Sequence, residues 1–265
     1  MHKQDLQTNS ESADTESFYQ TRGNSGEAAD SEKEQRFPER PNKEQVKTFP
    51  ILAFEGKIHL ITEKKGLSQA LKTLCRESVL GFDTETRPTF KKGKQYSVSL
   101  LQLATANDAF LFRLNHLGLP EELASLLADP DILKVGVAIL DDIRALRKLR
   151  KFEVKGFVDL SNIASELGIV TCGLRNLAAI FFGARISKKA QLTNWERPDF
   201  NSGQALYAAT DAWICLEMYR FLDSENLLPE NNIWNMPESP LPKSSRRYKN
   251  FNGGRKIGND PKTME

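Results

Sequence analysis

Three apolar settings in this sequence each contain acidic residues, and their spacing limits what those acids can do. Gly81-Phe82-Asp83-Thr84-Glu85-Thr86 closes an apolar strand-like run. A strand has a side-chain period of two, so Asp83 and Glu85 project from one face, about 7 Å apart along the chain. Two such carboxylates repel, and partial burial raises at least one pKa unless a divalent cation neutralises the pair. Alone the pair says little, because a strand emerging into solvent also ends on polar residues. Tyr207 and Asp211 lie four residues apart in an apolar helical run that continues to Leu222, and so share one helical face. Charged side chains are almost never fully buried unless paired. Asp211 therefore needs a cation, a base or water beside it, unless that face is a polar stripe turned to solvent. The third setting, Val135 to Leu146, reads as a buried strand turning into a helix with Asp141 and Asp142 at its start. Acids there also suit the unpaired N–H groups and the dipole of a helix N-terminus. Helical spacing separates the two: Ile139, Asp142, Ile143, Leu146 and Leu149 form the inward stripe, while Asp141 aligns with Ala145 and Lys148.

Taken together these segments supply four carboxylates, Asp83, Glu85, Asp142 and Asp211, in a chain with only three histidines (His2, His59, His116). A Ser-His-Asp arrangement or a His-rich metal site has almost no material to draw on. Cys75, Cys172 and Cys215 lie far apart with no C-x-x-C pair, which argues against a disulfide framework and against a zinc site. Carboxylate oxygens without nitrogen or sulfur ligands select hard cations, Mg²⁺ or Mn²⁺. Two such ions about 3.5–4 Å apart form a clamp for phosphodiester hydrolysis, and a phenol such as Tyr207 can hold the water.

The elements that must position these groups alternate between strand and helix periods. FEGKIHLI, SVLGFDTET, YSVSLLQLAT and DAFLFRL read as strands, with Asn107 and Asp108 turning the last pair, so the sheet is expected to begin as a meander. KKGLSQALKTLCRE and LPEELASLLAD read as helices, ILKVGVAI as a buried strand, and DDIRALRKLRKF as the next helix. From Leu160 to Leu222 the chain reads as mostly helical. The expected class is α/β, a mixed sheet flanked by helices.

The order D-x-E (Asp83, Glu85), A-x-x-x-D-x-x-x-L (Ala138, Asp142, Leu146) and Y-x-x-x-D (Tyr207, Asp211) resembles the DEDDy branch of the DnaQ-like 3′–5′ exonucleases, which have an RNase H-like fold. The likeness covers most of Phe54 to Leu222. GFDTET, VGVAILDD, FVDLSNIA, LTNWERPDF and LYAATDA are most similar to Werner-type exonuclease domains, with the RNase D exoribonucleases next. In the sister branch a His stands five residues before the last Asp. Here that position is Leu206, which keeps the Tyr assignment. The resemblance implies that Asp83, Glu85 and Asp211 ligate two divalent cations, that Asp142 ligates directly or through water, and that Tyr207 orients the attacking water. It also implies a terminal-nucleotide contact just after the Glu, at Thr86. The implied reaction removes nucleoside 5′-monophosphates from a free 3′ end, with DNA favoured over RNA. The alternatives are an RNase D-like exoribonuclease and a non-catalytic nucleic-acid-binding domain.

Length and composition bound the rest. The chain has 265 residues with 37 basic and 35 acidic side chains, and 15 Phe, 3 Trp and 5 Tyr are too many for a wholly disordered polymer. Residues 1–47 carry 7 basic and 10 acidic residues with no apolar period, and read as a disordered lead-in. Residues 48–241 form the expected exonuclease domain, which reads as stand-alone. Residues 242–265 carry 7 basic and 2 acidic residues with two aromatics, and read as a flexible basic tail able to tether nucleic acid. Further phosphate contacts are expected from Arg144, Arg147, Lys148, Arg150 and Lys151, from Lys91, Lys92 and Lys94, or from Lys188 and Lys189; for each group a solvated face is the alternative. No stretch approaches the roughly 18 apolar residues of a membrane span, and the N-terminus lacks the apolar core of a signal peptide. The expected setting is therefore intracellular: cytoplasmic, or nucleoid-associated or nuclear.

Overall fold

The structure is a computed structural model that describes residues 36–91, 93–230 and 233–236. Its centre is a mixed sheet. Strand β1 (Lys57–Ile61) is followed by α1, the short helix Lys64–Leu74, and then by β2 (Val79–Thr86), β3 (Val98–Ala104) and β4 (Asp108–Arg113). The chain continues through β5 (Leu133–Gly136), β6 (Val154–Asp159) and β7 (Ile233–Met236), giving the spatial order β1-β4-β3-β2-β5-β6-β7. β2, β3 and β4 are the expected antiparallel meander. β1 lies outside it, paired parallel to β4, because a helix rather than a tight turn separates β1 from β2 and a helical crossover returns the chain parallel. Two of the strands, β6 and β7, are additional to those read from the sequence; β6 pairs parallel with β5, and β7 antiparallel with β6.

Every residue of β3 is buried, as expected of a central strand covered on both faces. On one face Leu80, Phe82, Leu101, Leu103, Phe110 and Phe112 pack against α1, α2 (Glu121–Ala128) and α3 (Leu140–Leu149). The opposite face is covered chiefly by one long helix, α6 (Ser202–Ser224), with α4 (Leu160–Glu166) and α5 (Leu174–Phe182) beside it. Asn201 starts α6 with a reciprocal capping box: its side chain accepts from the Gln204 amide, and the Gln204 side chain accepts from the Asn201 amide. Gln204 Nε2 also donates to Thr193 Oγ1 at 3.0 Å and to the Asn194 carbonyl, tying the start of α6 to the segment before it.

The helix comes so close to the sheet that a Cβ on Gly81 would lie 2.0 Å from the Ala212 carbonyl oxygen. Both surfaces are backbone, so neither can yield without moving an element. Gly81→Ala is therefore expected to destabilise the fold by about 1–3 kcal/mol or more. A urea unfolding midpoint indistinguishable from that of the wild type would contradict this close approach.

The expectation of a disordered lead-in up to residue 47 is corrected over residues 36–47. Phe37 is 8% exposed and stacks edge-on against Phe181 at 5.2 Å and Phe221 at 6.4 Å. The Glu39 carbonyl accepts from Val170 N, and Asn42 caps a one-and-a-half-turn helix over Lys43–Thr48. One buried aromatic anchors a segment whose average composition is too polar to fold alone. The expected basic tail from Pro242, and residues 1–35 of the lead-in, lie outside the described residues.

Candidate active site

The acids converge where β2 runs out beneath α6. Strand alternation turns Asp83 and Glu85 to the α6 side, and Asp211 comes down from the helix to meet them. Carboxylate oxygens of these three residues all lie within 4.8 Å of one another. They line a cavity of about 520 Å³ together with Thr84, Val137, Arg175, Lys188, Gln191 and Tyr207. The Tyr207 ring is buried against Trp195 at 5.9 Å, and its hydroxyl is hydrogen-bonded to Asp211 one helical turn on. Trp195 itself is fully buried, a core residue.

Asp142 stands apart from this group. It belongs to α3, which covers the other face of the sheet, and its carboxylate accepts a hydrogen bond from the Thr84 hydroxyl. It is neither in the tight trio nor in the cavity lining. Its turn is set by a backbone device. Ala138 has a positive φ of 58°, and the buried Asp159 carboxylate accepts from Ala138 N at 2.8 Å and from Ile139 N at 3.2 Å. Asp159 also caps α4 through Ser161 N, so one side chain joins β6 to the turn that launches Asp142. Thr86 is exposed beyond an irregularity in the β2–β3 register and does not line the cavity.

Crowding acids away from bulk water has the expected electrostatic result. Burial, then Asp211, Glu85 and Asp142, hold the Asp83 carboxyl well above the usual carboxylate range. Glu85 is pushed up to about 9 by burial, then by Asp211 and Asp142, with Arg175 pulling it back. Burial lifts Asp211 to about 7 against the opposing Tyr207 hydrogen bond and Arg175, and lifts Asp142 to about 7 against the Thr84 hydrogen bond. Burial, followed by Asp211 and Glu85, raises the Tyr207 phenol, which stays protonated at neutral pH. Cys215 also borders the cavity; its thiol is held well above the ordinary range by burial and donates to the Asp211 carbonyl at 3.2 Å.

An all-oxygen donor set of mutually repelling acids fits a hard divalent cation, and offers nothing to a soft one. Asp83, Glu85 and Asp211 would hold it.

Sequence reasoning overlooks Arg175, Thr84 and Gln191. Arg175 occupies the first turn of α5, where its guanidinium donates to Gln191 Oε1 at 2.5 and 3.2 Å. A cation in the first turn opposes the helix dipole, and that local mismatch is the signal by which Arg175 could have been found. Of the basic clusters expected on phosphate, Lys188 alone lines the cavity among the described residues. Arg144 pairs with Asp141 at 2.8 Å, Arg150 Nε donates to the Leu119 carbonyl at 2.8 Å, and Lys94 sits over the Tyr96 ring at 4.8 Å. Lys92 lies outside the described residues.

A 3′–5′ exonuclease family model matches residues 58–226. The chain is 30% identical over 214 residues to the bifunctional 3′–5′ exonuclease/ATP-dependent helicase WRN of Mus musculus, covering 76% of this chain and 15% of that one. It is 30% identical over 193 residues to a 3′–5′ exonuclease of Arabidopsis thaliana, covering 67% of each. The crystal structure of the Aedes aegypti Nibbler EXO domain superposes with a TM-score of 0.60 at 27% identity, over 66% of this chain and 92% of that one. The chain spans less than half the length of most of the curated relatives it matches.

Proposed function

Because the chain belongs to the 3′–5′ exonuclease family, we propose that it shortens a nucleic acid from its 3′ end, releasing nucleoside 5′-monophosphates with the help of two divalent cations, Mg²⁺ or Mn²⁺. The observation that carries this reading is the meeting of Asp83, Glu85 and Asp211 with Tyr207 in one cavity. The three acids would hold cation, and Asp142 would assist through water or directly. Bound cations supply Lewis-acid stabilisation of the charge that develops around the phosphodiester.

The chain's own groups account for the remaining work. Tyr207, protonated and fixed by Asp211, presents a hydroxyl into the cavity that can orient a water for attack. Arg175 and Lys188 bring positive charge to a wall of the cavity otherwise dominated by acids, where a phosphate must enter. DNA is the favoured substrate, in keeping with the chain's similarity to the exonuclease–helicase relative over 76% of its length, against 27% identity over 63% for the ribonuclease D of Haemophilus influenzae. An intracellular setting accords with the three free cysteines.

The test uses 5′-labelled single-stranded DNA and RNA of one sequence, with Mg²⁺, Mn²⁺ or a chelator. A metal-dependent ladder shortening from the 3′ end is expected, faster on DNA. A faster RNA ladder would transfer the assignment to RNA trimming, and no ladder on either would leave a binding domain. Tyr207→Phe removes one hydroxyl and no metal ligand. It should lower the turnover rate by about 10²-fold with Mn²⁺ affinity unchanged. Equal losses in rate and in metal affinity would show that the phenol supports the acids rather than the water.

A further inference from the structure

One polar side chain beside the site takes no part in the proposed chemistry. Gln102, on β3, is fully buried, and neither its Oε1 nor its Nε2 has a hydrogen-bond partner among the described residues. A carboxamide left unsatisfied in a dry interior destabilises the fold, whereas a Leu or Met of similar volume would not. Its position in the sheet is specific. Gln102 is the register partner of Asp83 across the antiparallel β2–β3 pair, and of Leu111 on the other side. Directly opposed residues share a face, with Cβ atoms about 4.5–5.5 Å apart.

That face is the one under α6. On the same strand, two residues to either side, Leu100 packs with Tyr207 and Ala208, and Ala104 packs with Ala209 and Ala212. Gln102 therefore lies in an alanine- and leucine-lined floor, with Asp83 as its polar cross-strand neighbour.

We propose that Gln102 is a positioning residue for Asp83: its unpartnered carboxamide lies one cross-strand step away and becomes the carboxylate's partner when Asp83 turns to take up a cation. A neutral amide suits this place because Nε2 can donate to a carboxylate oxygen while adding no charge to a site already crowded with acids. The inference rests on Asp83 being a metal ligand.

The test measures Mn²⁺ affinity by calorimetry without nucleic acid, and urea unfolding in chelator, for the full chain and its Gln102→Leu and Gln102→Met variants. The expected variants are as stable as the wild type or more so, bind Mn²⁺ about 10–100-fold more weakly, and regain shortening activity as Mn²⁺ is raised. A packing role would move stability and affinity down together, and that result overturns the proposal, as does unchanged affinity. Should the Leu variant fail to fold, the more adaptable Met side chain carries the test. Loss of the fold in both assigns Gln102 to packing. A wild-type chain that binds no Mn²⁺ removes the metal reading and this inference together. A wild type that binds metal and shortens DNA, matched by its variants, sinks the Gln102 role alone.

Discussion

Asp83→Ala is expected to lower 3′-end shortening by about 10³-fold or more, equivalent to at least about 4 kcal/mol of lost transition-state stabilisation. The size follows from position. Asp83 lies in the trio whose ligand atoms are all within 4.8 Å of one another, and it also repels Asp142, so its loss disturbs the whole group. No neighbouring group can replace it, because the trio contains only one other strand residue and one helix residue. The same substitution removes one of several repelling carboxyls from a half-buried place. In chelator at pH 8 the variant should therefore unfold at a higher temperature than the wild type, even though it is inactive. A gel assay and a thermal scan on one preparation check both halves. Near wild-type shortening by the variant, free of contaminating nuclease, would remove Asp83 from the site.

The second large effect joins metal to pH. Asp83, Glu85, Asp142 and Asp211 all have raised folded-state pKa values, so between pH 5 and 7 the folded chain retains protons that the unfolded chain has released. Where the folded state binds more protons, stability falls as pH rises, by up to about 1.4 kcal/mol per pH unit for each proton retained. Water in the open cavity lessens that figure. Metal-free protein should thus lose several degrees of thermal midpoint from pH 5 to pH 7. Mn²⁺ would bind the ionised acids, so the midpoint gained on adding it should be small at pH 5 and grow towards pH 8. Above pH 7 an opposing group enters. Lys134 is buried with its Nζ donating to the Asp129 carbonyl at 2.6 Å, and burial lowers its pKa to about 7. A buried lysine of this kind adds stability as pH rises from about 7 towards 10.5, so Lys134→Met should steepen the metal-free decline above neutrality. Differential scanning at pH 5, 6, 7 and 8, with and without Mn²⁺, decides the matter; a metal-induced gain independent of pH would contradict it.

What the sequence disclosed follows from the range over which its patterns act. Asp83 and Glu85 lie two apart on a strand, Tyr207 and Asp211 four apart on a helix, and both spacings are local rules that the fold respects. Asp142 was legible as an inward-facing acid, but not as one set apart from the trio. A helical stripe says that a side faces the sheet; it does not say which face of the sheet. Here α3 covers the face opposite α6, and Asp142 meets β2 through the Thr84 hydroxyl while acting on Asp83 and Glu85 through its charge. β6 and β7 escaped notice for a related reason. Val154–Asp159 is short, carries Lys155 and a Gly156 at φ 65°, and becomes a strand only through pairing on both sides. Arg175 and Lys134 are the converse case, cations in places that local propensity disfavours. Such mismatches point to tertiary partners that no local spacing names.

The docking of Phe37 bears on how this protein would be handled in the laboratory. Cutting the chain at Thr48, where composition invites a boundary, would remove the ring that covers the stacked pair Phe181 and Phe221, and would uncover those aromatics. Two such bare sockets on separate molecules are complementary in their greed for each other. A chain cut at Thr48 is then expected to sediment as a mixture of sizes beside one that keeps Phe37, and a single matching species from both would contradict this.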